Sequence, residues 1–329
     1  MQQAEPLITW SEPVLQFISF IGLFLSVGAV GFRYSALRGR LTSGTPVGAT
    51  PAAPVPVASD ATFFSLAARR AAAIGLLGMM IRLVLMVHDL PGMAARKHLA
   101  VGAFVTSDFM TASQGVLLIL ALIGFLLAWR GTALGWLLAA IGVVAIPLRG
   151  AALGQWSRLV NPLHVLAGGL WIGTLFVLFA AGLSLVLRHE SARDQRGRLA
   201  ADMVNAFSPL ALVASGFLAL FGVITAWTHL NPLSSLWTTP YGYALIAKLA
   251  VVAVVVGLGA FNWKRQRPTL GTEAGATSIA RSSRAELTAA FVVLIITAVL
   301  VSLPSPKRPP PPGGVPGQGV PGQAPPPPG

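Results

Sequence analysis

Eight apolar runs, each of a length to cross a lipid bilayer, limit the fold of this chain more than any other feature of its sequence. A helix of about 20 residues rising about 1.5 Å per residue spans a hydrocarbon core of about 30 Å. No water reaches a peptide group there, so each run has to close its own hydrogen bonds as a helix. The runs are Val14 to Phe32, Ala71 to Val87, Phe109 to Ala128, Ala133 to Leu148, Asn161 to Leu187, Ser208 to Trp227, Tyr241 to Phe261 and Leu287 to Leu303, numbered spans 1 to 8 below. The expected fold is all-α, a polytopic membrane bundle of about eight transmembrane helices.

Composition agrees with this. The chain is 54% hydrophobic and only 10% charged, with a mean hydropathy of +0.73, which leaves too little polar surface to dissolve a globular domain. The partner these numbers name is the lipid bilayer. A net charge of +13 would point to nucleic acid in a soluble protein, but here the cations sit in short segments between apolar runs, where they set topology. Nucleic acid is therefore not an expected partner. The absence of cysteine excludes disulfides, iron–sulfur clusters, covalently attached c-type haem and thiolate metal sites. There is no GxxxxGK[ST] loop for nucleotide-driven pumping and no catalytic constellation, so the chain does not read as an enzyme.

The segments following spans 1, 3, 5 and 7 carry 15 of the 23 Lys and Arg, and the other loops and termini carry 6. The positive-inside rule then places both termini on the non-cytoplasmic side. Residues 1–13 contain Glu5 and Glu12 and no cation, so they lack the basic start of a cleavable signal and are expected to stay as a non-cytoplasmic N-terminus. Residues 14–148 form a first four-helix half that includes a cytoplasmic Pro/Ala-rich linker over 34–58. Residues 149–303 form a second half. The stretch 304–329, with 12 prolines in 26 residues, is expected to be a disordered tail. A thirteen-residue Gly-to-His spacing occurs in both halves, Gly75 to His88 and Gly216 to His229, as two parallel repeats would give.

Span 5 is unlike a passive anchor. Asn161 is a natural N-cap and Pro162 fits a first turn, which sets His164 in the opening turn at the membrane boundary. Gly168 and Trp171 share its face, and Gly169 with Gly173 allows a second helix to come close. His88, His98, His164 and His229 all fall at the non-cytoplasmic ends of spans, whereas His189 alone is cytoplasmic. Met86 and Met93 lie in the same outer region, within MMIRLVLMVHDLPGMAARKH, which has four Met and two His in 20 residues. Pro91 and Gly92 are expected to end the helix and fold His88, Met93 and His98 back over its mouth. Imidazole and thioether together are ligands for copper. The same residues also serve as solvated interface histidines and apolar filler, and both readings stand at this stage.

Ser215, Gly222, Thr225 and His229 make a small or polar stripe along span 6, either a path or a helix contact. Arg82 and Lys248 are ionisable residues inside apolar runs, where their cost makes them candidates for function. With Trp171 and Thr225 they form a candidate transport path. No carboxylate lies at the depth of Lys248, which leaves a carbonyl, water or a passing ion as its partner.

The segments HVLAGGLWIGTLFVL at 164–178, SPLALVASGFLALFGVITA at 208–226 and TTPYGYALIAKLAVV at 238–252 resemble the CopD family, the copper resistance D membrane proteins. The resemblance runs best from Asn161 to Asn262 and rests on His164, Trp171 and Gly173 together with Tyr241, Gly242 and Lys248. It implies an eight-span, multi-pass protein of the inner (plasma) membrane that takes up copper ions, beside a periplasmic copper-binding protein. Of the family's ligands it carries over only His164. Two alternatives remain: a redox protein binding haem b through paired histidines such as His88 and His229, and a membrane assembly factor that transports nothing.

Overall fold

The computed structural model describes residues 10–39, 58–154, 159–188, 196–230, 233–266 and 273–303. These are helical almost throughout, with no strand among them, and eight of the helices are long and apolar enough to cross a membrane. Span 1 is Ser11–Tyr34, span 2 Ala58–Arg96, span 3 Phe109–Trp129 and span 4 Ala133–Leu148. Span 5 runs over Val160–Arg188, span 6 is Arg196–His229, span 7 Pro240–Gln266 and span 8 Glu273–Ser302. Most of the linker expected over 34–58 lies outside the described residues, as do residues 1–9, His189 and the tail over 304–329.

Spans 3 and 4 begin at side-chain caps. The Asp108 carboxylate accepts the Thr111 N–H at 2.8 Å, and the Thr132 hydroxyl accepts the Gly135 N–H at 3.2 Å. Between them Gly131, at φ +93°, makes the reversal. Spans 2, 6 and 8 are longer than their apolar runs, at 39, 34 and 30 residues. The first would measure about 58 Å against a core of about 30 Å, so its ends stand clear of the lipid. Arg69 and Arg70 are exposed on that extension, and Arg198 pairs with Asp202 at 3.9 Å on the extension of span 6. Much of the positive charge expected in loops is therefore carried on helical turns.

Two expectations are corrected here. Pro91 does not end span 2, which continues to Arg96, so His88, Met93 and His98 do not fold back over a mouth. Proline removes one hydrogen bond and crowds the carbonyl four residues back, but that residue, Val87, is 57% exposed, and a carbonyl on an open face has room to tilt outward. Asn161 is not the cap of span 5 either. The helix starts at Val160 with Leu163 N–H donating to Leu159 O at 2.9 Å, because Pro162 within the first turn needs no partner for a missing N–H.

The bundle is centred on spans 1 and 5. Half of the most apolar stretch of each is buried, 50% and 56%, against 11% in spans 6 and 7, whose outer faces are left to lipid. Glycine makes the central contact possible: a Cβ on Gly28 would fall 2.2 Å from the Gly173 carbonyl oxygen, and Gly169 packs on Val27. The expected close approach along Gly169 and Gly173 is thus made by span 1. Span 5 also passes through two π-helical segments, Gly169–Gly173 and Leu178–Leu183, which widen it opposite span 1. The two glycines of the thirteen-residue spacing differ in surroundings. A Cβ on Gly75 would meet the Phe125 ring at 2.3 Å, whereas nothing lies within 4 Å of one on Gly216.

Candidate functional site

His164 faces span 6. Its ring is half-buried, and its Nδ1–H donates to the Leu218 carbonyl at 2.9 Å. Gly222, one turn further along, leaves the space the ring occupies, since a Cβ there would stand 2.9 Å from Cε1 and 3.3 Å from Nδ1. Leu218 and Gly222 are eleven and seven residues from the end of span 6, about 16 and 10 Å inward at helical rise. On its own helix His164 is the fifth residue from the start, close to the opening turn expected for it. Lys248 of span 7 is close enough for its charge to act on the ring. Among the described residues its ammonium meets no carboxylate.

This arrangement has a chemical consequence. A neutral imidazole that donates through Nδ1 keeps its lone pair on Nε2, and a carbonyl behind the donating nitrogen fixes both the tautomer and the ring plane. The site therefore offers one oriented nitrogen ligand beside Gly222, with a cation nearby. A cation beside the ring opposes prolonged binding of a second cation, a property suited to passing an ion onward.

The rest of the expected ligand set is dispersed. His88 is exposed at the end of span 2 with Nδ1 3.0 Å from the Asp89 carboxylate. His98 is exposed at φ +55° and stops span 2: its N–H donates to Ala95 O at 3.0 Å and that of Leu99 to Ala94 O at 3.1 Å. Met86 packs into the core beside Gly115, and Met93 is half-buried on the last turns of span 2. No three His, Asp or Glu among the described residues come together to hold a metal ion. His229 closes span 6, where the three-and-four spacing keeps position 229 in register with Gly222 and Thr225; its side chain lies outside the described set. Spans 2 and 6 share no substantial contact, so the structure does not juxtapose the helices a His88–His229 haem pair would need. Trp171 packs on the core beside span 1. Arg82 belongs to a separate cluster: its Nη1 donates to Ser19 Oγ at 3.3 Å and its electrostatic neighbour is Arg149.

Neither Leu218 nor Arg149 stood out in the sequence. A backbone carbonyl carries no residue signature, and Arg149 read as one more loop cation.

Fold and site together define a multi-pass, all-helical membrane protein with a single oriented histidine between its fifth and sixth spans. Residues 201–300 match the family described as CopD, copper resistance protein D. The Copper transport protein CutJ of Bacillus subtilis (strain 168) is 33% identical over 151 residues, which make up 45% of this chain and 25% of that protein. Both findings support the CopD family for this chain, which spans only a quarter of that relative's length. Gly222, Thr225 and Lys248 fall inside the family-matched residues, and His164 and Trp171 lie upstream of them. No solved structure gives a significant match.

Proposed function

We propose that this chain moves copper ions across the inner membrane into the cytoplasm, with His164 as the ligand that receives the ion from the non-cytoplasmic side. The observation that carries the reading is the orientation of His164, whose Nδ1 is committed to Leu218 O and whose Nε2 is left to bind. The ion enters along the face of span 6 that holds positions 229, 225 and 222, pauses on His164, and is moved on by the positive charge of Lys248. Arg82 drops out of the route because its contacts lie with spans 1 and 4. Trp171 drops out of the route as well, because it packs on the core and the π-helical segment Gly169–Gly173 shifts it out of α-helical register with His164. His88 and Met93 act in capture before the ion reaches His164, and a periplasmic copper-binding protein is the donor this scheme calls for. Both termini lie outside the cytoplasm in this topology.

The test is copper accumulation in cells expressing His164→Ala at matched levels of membrane-inserted protein. Accumulation should fall at least tenfold, while His98→Ala should change it little. Wild-type accumulation in the His164→Ala cells would make His164 a packing residue and end the proposal.

A further inference from the structure

Spans 1 to 4 bring together two guanidinium groups that the copper route does not use. Arg82 and Arg149 stand 67 positions apart in the chain, yet Gln114, which holds Arg149, adjoins Gly115, where a Cβ would lie 3.5 Å from Met86 Cε one turn beyond Arg82, and the two charges act on each other. The stem of Arg82 lies against span 1, where a Cβ on Gly22 would be 3.0 Å from its Cγ, and Nη1 reaches Ser19 Oγ. Arg149, at the end of span 4, donates through Nη1 to the Ile146 carbonyl and through Nη2 to Gln114 Oε1 of span 3. The Nε of each is buried and has no hydrogen-bond partner. In Arg82 the Nε and Nη2 edge is the one left over, and that edge is the planar fork that takes two oxygens of one anion.

The protein supplies little negative charge to this pair. Asp108 acts on Arg149, but its half-buried carboxylate already caps span 3 through Thr111. Among the described residues no carboxylate pairs with Arg82. Two like charges are thus held near each other with donors to spare, an arrangement that becomes favourable once an anion lies between them. Arg149 follows the last residue of span 4, the end of an apolar run, which is where a phospholipid headgroup would stand.

We infer that Arg82 and Arg149, assisted by Ser19 and Gln114, bind a phosphate-type oxyanion at this end of the first four spans. The phosphate comes from an anionic phospholipid headgroup or from solution, and the two sources are separable. The inference is independent of the copper reading. Purified full-length protein in an uncharged detergent is titrated with inorganic phosphate against chloride at constant ionic strength, and in parallel is reconstituted into phosphatidylcholine vesicles with increasing phosphatidylglycerol. Unfolding is followed by tryptophan fluorescence. A saturable rise in the midpoint is expected. Confinement to phosphatidylglycerol identifies the headgroup as the source, and a response to phosphate alone identifies the free ion.

Arg82→Gln and Arg149→Gln should each weaken the response about tenfold, the usual scale for one lost charged hydrogen bond. Arg70→Gln, exposed on the far extension of span 2, should leave it unchanged. If a Gln variant does not insert, Arg82→Lys keeps the charge and loses the fork, and should still weaken binding. Asp108→Asn retains a capping side chain while removing the competing carboxylate, so it should tighten binding, which a purely structural role for the arginines would not produce. The inference is overturned if neither probe gives a saturable rise beyond chloride, or if the response persists undiminished in the arginine variants.

Discussion

At the scale of single residues, Gly222 gives the sharpest test of the geometry around His164. A methyl group at 222 meets the ring at 2.9 Å, so Gly222→Ala must displace the imidazole or push spans 5 and 6 apart. Overpacking of this kind costs about 1–3 kcal/mol. Gly216→Ala, two turns away with open space around it, lacks the clash and gains about 1 kcal/mol of helix propensity. Copper accumulation should therefore fall severalfold or more in Gly222→Ala and stay at wild type in Gly216→Ala; equal activity of the two variants would remove the packed imidazole from the account. His98 makes the opposite case. Its left-handed backbone stops span 2, a task glycine performs without strain, so His98→Gly should stabilise the protein by up to about 1 kcal/mol in thermal unfolding and leave accumulation intact.

At the scale of helices, the ends that were legible are those with a local chemical cause. Spans 3 and 4 begin where Asp108 and Thr132 cap them, and span 4 matches its sequence boundaries residue for residue. The sequence leads to a second helix that begins near Ser59 or Asp60 and runs through Arg69 and Arg70, as the fold has it, whereas the far end of span 2 and the starts of spans 6 and 8 were drawn too short because apolar content marks the lipid, not the helix. Arginine is a good helix former, and the turns bearing Arg69, Arg198 and Arg284 continue into water with no change in backbone. The small-residue approach in span 5 was visible as Gly169 and Gly173, although its partner, Gly28 of span 1, lies too far away in sequence to be paired by any local pattern. The cap of span 3 also gives a pH prediction. Hydrogen bonds from Thr111 hold the Asp108 carboxyl below the usual carboxylate range. A group with a depressed folded pKa contributes stability that is complete above its unfolded value, about 3.9, and is lost as pH falls through the folded one. Between pH 5 and pH 2 the wild type should therefore lose part of its thermal stability that Asp108→Ala, already lacking the cap, does not lose; parallel melting curves for the two would contradict this.

For the whole molecule, the separation of the two polar clusters matters more than either alone. His164 and Lys248 lie among spans 5 to 7, and Arg82 and Arg149 among spans 1 to 4, with span 1 packed on both sides as the shared wall. Their placement relative to the cytoplasm rests on the distribution of cations, which is an argument about insertion, not packing. Single cysteines in this cysteine-free chain test it directly. Ser235, between spans 6 and 7, is buried and would be silent on either side of the membrane, whereas Ser234 beside it is exposed. Ala133, at the turn between spans 3 and 4, is also exposed. In intact cells Ser234→Cys should react with an impermeant thiol reagent and Ala133→Cys should react only after permeabilisation. The reverse pattern would turn the bundle over, place His164 toward the cytoplasmic end of the route, and convert the proposed entry ligand into an exit ligand.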